Sequence, residues 1–182
     1  MKKNIAIIMG GYSSEVNISL TSGSVVYKHL DRDKYNPYSI HILKDKWVYV
    51  DEQKNEFPID KNDFSVTVDN QKITFDCVFN AIHGTPGEDG KILSYFDLIG
   101  MKHTSAPFYQ MALTFNKRDT LSVVKHYGIA TANSIYLNQG DTINTDQIIS
   151  TVGLPCFIKP NNAGSSFGIS KAYNAEEILA GI

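Results

Sequence analysis

Phe157-Ile158-Lys159-Pro160-Asn161-Asn162-Ala163-Gly164-Ser165-Ser166-Phe167-Gly168 reads as a short apolar strand ending on a lysine, followed by a Gly/Ser loop and a second strand. A lysine that leaves a strand beside a flexible loop rich in backbone N–H groups can grip a polyphosphate. The amine supplies a point charge, and the loop lays donors over the phosphate oxygens. In a Walker P-loop the lysine follows the glycines into a helix. Here the lysine comes first and no helix is signalled behind the serines, so the stretch points to a different nucleotide-binding architecture. The competing reading is a strand-terminal surface lysine before a flexible hairpin. Lys117, in Phe115-Asn116-Lys117-Arg118, is by itself a solvated helix charge, but a second lysine in the same segment strengthens the phosphate reading.

Around that stretch the pattern is α+β. Helices are predicted over 107–113, 116–127 and 145–152, with Gly128 and Gly153 as stops, and short strands over 133–137, 156–159 and 169–172. Upstream the character differs. Ile5 to Met9 is a continuous apolar run, as expected of a strand buried on both faces. Gly10-Gly11 turns the chain, and Ser13 or Ser14 is placed to cap a helix carrying Ile18, Val25, Val26 and Leu30 inward. Tyr38, Ile40 and Ile42 then alternate with polar residues, completing a βαβ opening. Residues 44–74 read as a peripheral hairpin. Cys77 to Ile82 is a further core strand, running into His83-Gly84-Thr85-Pro86-Gly87-Glu88-Asp89-Gly90 and a helix with Ile92, Tyr95, Phe96 and Ile99 on one side. The glycine loops after the first and the later core strand belong at the carboxyl edge of a parallel sheet, where ligands bind. The change of pattern sets a domain boundary near residue 105.

Bulk properties narrow the class. The chain has 182 residues, 42% hydrophobic and 20% charged, which suits one ordinary globular domain or two small ones. A formal net charge of −2 gives no reason to expect nucleic acid or an anionic membrane as partner. The N-terminal apolar run is too short for a secretion signal, and no run approaches a bilayer-spanning length. Cys77 and Cys156 lie in apolar, strand-like runs and read as buried free thiols in a reducing compartment. A cytoplasmic protein is expected. Asn174-Ala175-Glu176-Glu177 is a capping box whose helix has little chain left before Ile182, so the expectation is a fragment of a longer protein.

The remaining candidates carry two readings each. Glu15 at a helix start is favoured by the helix dipole, by about 0.3–1 kcal/mol, and is equally suited to hold a substrate ammonium. His83 is a hydrogen-bonded structural residue or a catalytic one. Glu88 and Asp89 are read as loop-ordering carboxylates that receive backbone N–H groups. A metal site from His83, Glu88 and Asp89 matches no strong spacing.

Taken in order, 9–23 (Met9-Gly10-Gly11-Tyr12-Ser13-Ser14-Glu15 through Ser22-Gly23), His83-Gly84 with Gly87-Glu88-Asp89-Gly90, Asn116-Lys117, and Ile158-Lys159-Pro160 with Gly164-Ser165-Ser166-Phe167-Gly168 resemble the D-alanine–D-alanine ligases of the ATP-grasp superfamily. The resemblance covers essentially the whole chain. It implies an α/β first domain (parallel-sheet, Rossmann-like, pre-ATP-grasp) over 1–105 that binds substrate. It implies a truncated α+β ATP-grasp subdomain over 106–182, with the C-terminal catalytic domain absent. By the resemblance Glu15 binds the ammonium of the first D-alanine and acts in catalysis, and His83 lies near the same substrate. Lys117 and Lys159 contact ATP phosphates. The loop Gly164 to Gly168 closes over the nucleotide, with Ser165 a catalytic residue that hydrogen-bonds toward the acceptor site and Ser166 near phosphate.

The implied reaction forms an acyl phosphate from D-alanine and ATP, which a second D-alanine displaces to give the dipeptide for peptidoglycan. ATP and magnesium are the implied cofactors, with metal ligands beyond residue 182 and none in this chain. A homodimer through the first domain is also implied. Alternatives are a ligase taking D-lactate or D-serine second, or a non-catalytic ligand-binding module of the same fold. Three positions depart from the family pattern: Asn17 stands where an acidic residue is usual, Phe115-Asn116-Lys117 where Met-Asp-Lys is usual, and Leu121 where a lysine is frequent. The chain alone is expected to lack ligase activity.

Overall fold

A computed structural model describes residues 1–182, which divide into two compact units, Met1–Ala112 and Leu113–Ile182. In the first, β1 (Lys3–Gly10) leads through α1 (Val16–His29) to β2 (Tyr35–Ile42), and both strands run parallel. Four antiparallel strands follow: β3 (Trp47–Val50), β4 (Glu56–Asp60), β5 (Ser65–Val68) and β6 (Gln71–Ile73). Then β7 (Cys77–Asn80) returns to pair parallel with the other side of β1, and α2 (Lys91–Leu98) comes after it. The sheet order is β6-β5-β4-β3-β2-β1-β7.

The run Ile5 to Met9 is buried on both faces, as its composition requires. Ile5, Ile7 and Met9 pack toward Leu20 and Val26 of α1 and Leu30 just past its end. Ala6 and Ile8 point the other way, into the core shared with Ile92, Leu93 and Phe96 of α2. This is the period of two expected of a central strand.

Residues 44–74 are more than a peripheral hairpin: their four strands extend the parallel core as an antiparallel meander. Its centre is Phe64, fully buried at a positive φ of 55° and surrounded by the rings of Trp47, Phe75, Tyr95 and Phe96 at 4.8–6.3 Å. The polar run Asp60-Lys61-Asn62-Asp63 hides a single core aromatic at its end. Phe64→Ala is expected to destabilise the chain by about 3–5 kcal/mol, read as a lower urea midpoint.

Helix α1 also departs from its apolar pattern. Ile18 and Val25 are about half exposed, and the buried residues are Ser19 and Gly23. A Cβ on Gly23 would stand 2.7 Å from Met9 Cβ, so the helix sits close on the sheet through its small residues. Neither Ser13 nor Ser14 caps the helix. Glu15 holds the N-cap position without a side-chain cap, and its N–H donates to Ser13 Oγ at 3.2 Å.

After α3 (Phe108–Phe115), the second unit contains α4 (Lys117–His126), α5 (Thr145–Val152), β8 (Cys156–Ile158), β9 (Ser170–Ala172) and α6 (Ala175–Gly181). β8 and β9 form a two-stranded antiparallel sheet, and a small core gathers around Ile148, Ala172 and Ile178. The strand expected over 133–137 is irregular chain with no ladder partner, although Ile135 still packs on that core. Asn116, Asn144 and Asn174 cap α4, α5 and α6 by accepting from the N–H three residues on. The capping box at α6 is reciprocal in a shifted form, with Glu177 accepting from Tyr173 N–H at 2.9 Å. Cys77 and Cys156 are free and partly buried, and burial pushes the Cys77 thiol up. No helix is long and apolar enough to cross a membrane.

Candidate functional site

β1 lies between β2 and β7, with its crossover leaving to one side and β7 on the other. The loops after β1 and β7 therefore flank a switch point at the carboxyl edge of the parallel strands. Three bonds tie these loops together. Tyr12 N–H donates to Thr85 O at 2.7 Å, Ser13 Oγ to His83 O at 3.2 Å, and Ser19 Oγ to Ala81 O at 2.8 Å. Ser19 Oγ also accepts from Gly10 N–H at 2.8 Å, so one buried hydroxyl bridges both loops. Sequence reading missed Ser19. Thr21, Ser22 and Ser24 lie on the same helix, and nothing in the spacing singles Ser19 out from them.

Glu15 lies in this knot with its side chain almost wholly buried, and Oε1 is a buried oxygen with no hydrogen-bond partner. Buried polar atoms are nearly always paired, and an unpaired buried carboxylate oxygen is costly. The helix N-terminus behind it lowers that cost but leaves Oε1 unfilled. A compact cation with N–H donors, such as an ammonium, is the chemistry that fits.

Gly84 keeps the space beside it. Its φ is +72°, and a Cβ there would stand 2.6 Å from Ser13 Oγ and 3.2 Å from Glu15 Oε2. His83, next in the chain, places Nε2 3.1 Å from Ser22 Oγ on α1. Glu88 accepts from Gly84 N–H at 2.6 Å, and Asp89 accepts from Lys91 N–H and pairs with Lys91 Nζ at 2.8 Å. Both carboxylates order the loop, as their positions predicted. No group of three or more His, Cys, Asp and Glu side chains could hold a metal ion.

In the second unit Lys117 and the Gly/Ser loop meet. Lys117 Nζ donates to Ala163 O at 2.6 Å and to Asn161 O at 3.3 Å. Asn161 fastens the loop to the start of α4: its Oδ1 accepts from Arg118 N–H at 2.9 Å, its O from Lys117 N–H at 3.3 Å, and its Nδ2 donates to Asn116 Oδ1 at 2.9 Å. Asn116, one of the departures from the family pattern, thus joins the helix cap to the loop.

Burial lowers the Lys117 amine below the ordinary lysine range, and the nearby charge of Lys159 lowers it further. Two amines close enough to repel are a ready site for a polyanion. Lys159 Nζ lies 5.5 Å from the Phe157 ring centroid. Ser165 and Ser166 are exposed at positive φ (47° and 59°), and Phe167 N–H donates back to Gly164 O at 2.9 Å. Gly168, at φ +68°, would put a Cβ 2.9 Å from Pro160 Cγ, so only glycine closes this loop without strain.

The fold belongs to the ATP-grasp class of ligases. D-alanyl-alanine synthetase A from Vibrio cholerae superposes with a TM-score of 0.84 at 27% identity, over 99% of this chain and 54% of that one. The VanG D-Ala:D-Ser ligase from Enterococcus faecalis gives a TM-score of 0.80 at 28% identity, over 100% of this chain and 59% of that one. Family models for the D-ala D-ala ligase N-terminus and C-terminus match residues 4–106 and 123–182, and this chain belongs to the D-alanine–D-alanine ligase family. D-alanine–D-alanine ligase from Flavobacterium johnsoniae is 69% identical over 97% of this chain and 54% of that protein. The chain thus spans about half the length of the curated relatives it matches.

Proposed function

We propose that this chain supplies the D-alanine-holding and phosphate-holding parts of an ATP-dependent ligase. That ligase joins two D-alanines through an acyl phosphate, for peptidoglycan in the cytoplasm. The observation that carries the reading is the buried, unpartnered Oε1 of Glu15 between two glycine loops at the sheet's carboxyl edge. Residues 1–105 act as the substrate domain and 106–182 as part of the ATP-grasp region. Glu15 takes the ammonium of the first D-alanine and so aims its carboxylate at the transferring phosphate. His83 borders the same substrate.

Lys117 and Lys159 hold ATP phosphates and offset the charge that builds on the transferring phosphoryl group. Gly164, Ser165, Ser166 and Gly168 form the cover over the nucleotide, with Ser165 turned to the acceptor and Ser166 to phosphate. The cover keeps water from the acyl phosphate. Magnesium, in this reading, is held by carboxylates outside this chain. The same proposal includes a homodimer through the first unit.

The likeness to the VanG enzyme favours D-serine as an alternative second substrate. Phosphate release with ATP and D-alanine, D-lactate or D-serine, measured on the full-length protein that carries this sequence, decides among them. Release with D-alanine alone supports the reading, and no release with any of the three refutes it. The chain by itself is expected to release none.

Lys117 adds a pH signature. Its pKa is lowered in the free chain, whereas bound phosphate favours the protonated amine. ATP affinity is therefore full below the lowered value and is lost as pH rises through it. By the same linkage, the unliganded fold gains stability from this group as pH rises from the lowered value toward the unfolded one. Lys117→Arg, which stays charged, is expected to flatten the alkaline loss of affinity in a calorimetric titration.

A further inference from the structure

The hydroxyls on the exposed turns of α1 do not all behave alike. Thr21 Oγ1 donates to Asn17 O at 3.0 Å and Ser24 Oγ to Leu20 O at 2.7 Å, both back-bonding one turn along their own helix. Ser22, between them and half-buried, instead lies 3.1 Å from Nε2 of His83 on the other loop. The main chain of the same histidine is held by Ser13 Oγ through His83 O. Both ends of the residue are thus fixed from the segment that carries Glu15.

We propose that Ser22 is a positioning residue that donates its hydroxyl proton to His83 Nε2, fixing the neutral ring as the Nδ1–H tautomer. The helix orients the serine and the ring follows. Nε2 is spent on Ser22, so Nδ1 is the nitrogen left for a ligand, and in this tautomer it is a donor. Resting on the D-alanine reading, that donor complements Glu15. One group takes the ammonium of the amino acid, and the other offers an N–H to its carboxylate. Free imidazole favours the opposite tautomer, so the serine has a distinct, measurable effect.

The test is 15N–1H correlation of the imidazole nitrogens in the histidine-labelled chain, at a pH where the ring is neutral. His83 is expected as Nδ1–H. In Ser22→Ala the tautomer ratio should move roughly fivefold toward Nε2–H, the change that one ordinary hydrogen bond of about 1 kcal/mol produces. Ser22→Thr, which keeps the hydroxyl, should restore it. Unshifted amides of Ile7 and Phe79 in both variants show that the sheet is intact. A wild-type ring found as Nε2–H, or a ratio unchanged in Ser22→Ala, overturns the proposal. Adding D-alanine separates the two readings. If the tautomer responds to Ser22 while D-alanine leaves His83 and Glu15 unmoved, the positioning role stands and the substrate reading fails.

Discussion

Glu15→Gln is expected to weaken D-alanine binding by roughly 30-fold or more, the consequence of removing one partner from a buried charge pair. The same variant should leave the urea midpoint unchanged or raise it. Two structural terms oppose each other here. Losing a carboxylate at the N-terminus of α1 costs about 0.3–1 kcal/mol. Replacing the buried, unpaired carboxylate by a neutral amide of the same shape relieves the cost of burying a charge, which exceeds that of burying a neutral polar group. The second outweighs the first, so a residue kept for structure alone would give the opposite sign. Lower ligand affinity with equal or higher stability marks a residue held against the fold's own preference.

Lys117→Met and Lys159→Met are each expected to weaken ATP binding roughly 10- to 150-fold, the worth of a hydrogen bond to a charged group. The two should differ in side effects. Lys117 also holds Asn161 O and Ala163 O, so its loss frees the base of the loop and should increase proteolytic cutting near Gly164. Lys159 is exposed and repels Lys117, so its removal should raise the Lys117 pKa toward the ordinary range. Equal ATP affinity in wild type and both variants, in a calorimetric titration, would show that neither amine meets phosphate.

Features governed by local chemistry were legible in the sequence. The double-faced run Ile5 to Met9, the glycine loop after β7, and the asparagine cap of α6 need only neighbours within a few residues. What was hidden depended on distant contacts. Ile18 and Val25 looked inward by their apolar character, yet α1 lies close on Met9 at Gly23, and that approach leaves both of them about half exposed. The meander was read as peripheral because Phe64 stands alone in a polar stretch, and its burial is set by rings from β3 and α2.

The candidate site shows the same division. Glu15, His83, Lys117 and Lys159 stood out by motif. Ser19, Ser22 and Asn161 act by reaching across 62, 61 and up to 45 residues of chain, and no local spacing marks that.

The most direct test is a D-alanine titration of the 15N-labelled chain, with propionate, which lacks the ammonium, as the control. Saturable shifts confined to the amides of Gly11, Glu15, His83 and Gly84, absent with propionate and lost in Glu15→Gln, are the predicted result. Equal responses to both compounds, or none at these four residues, would contradict it.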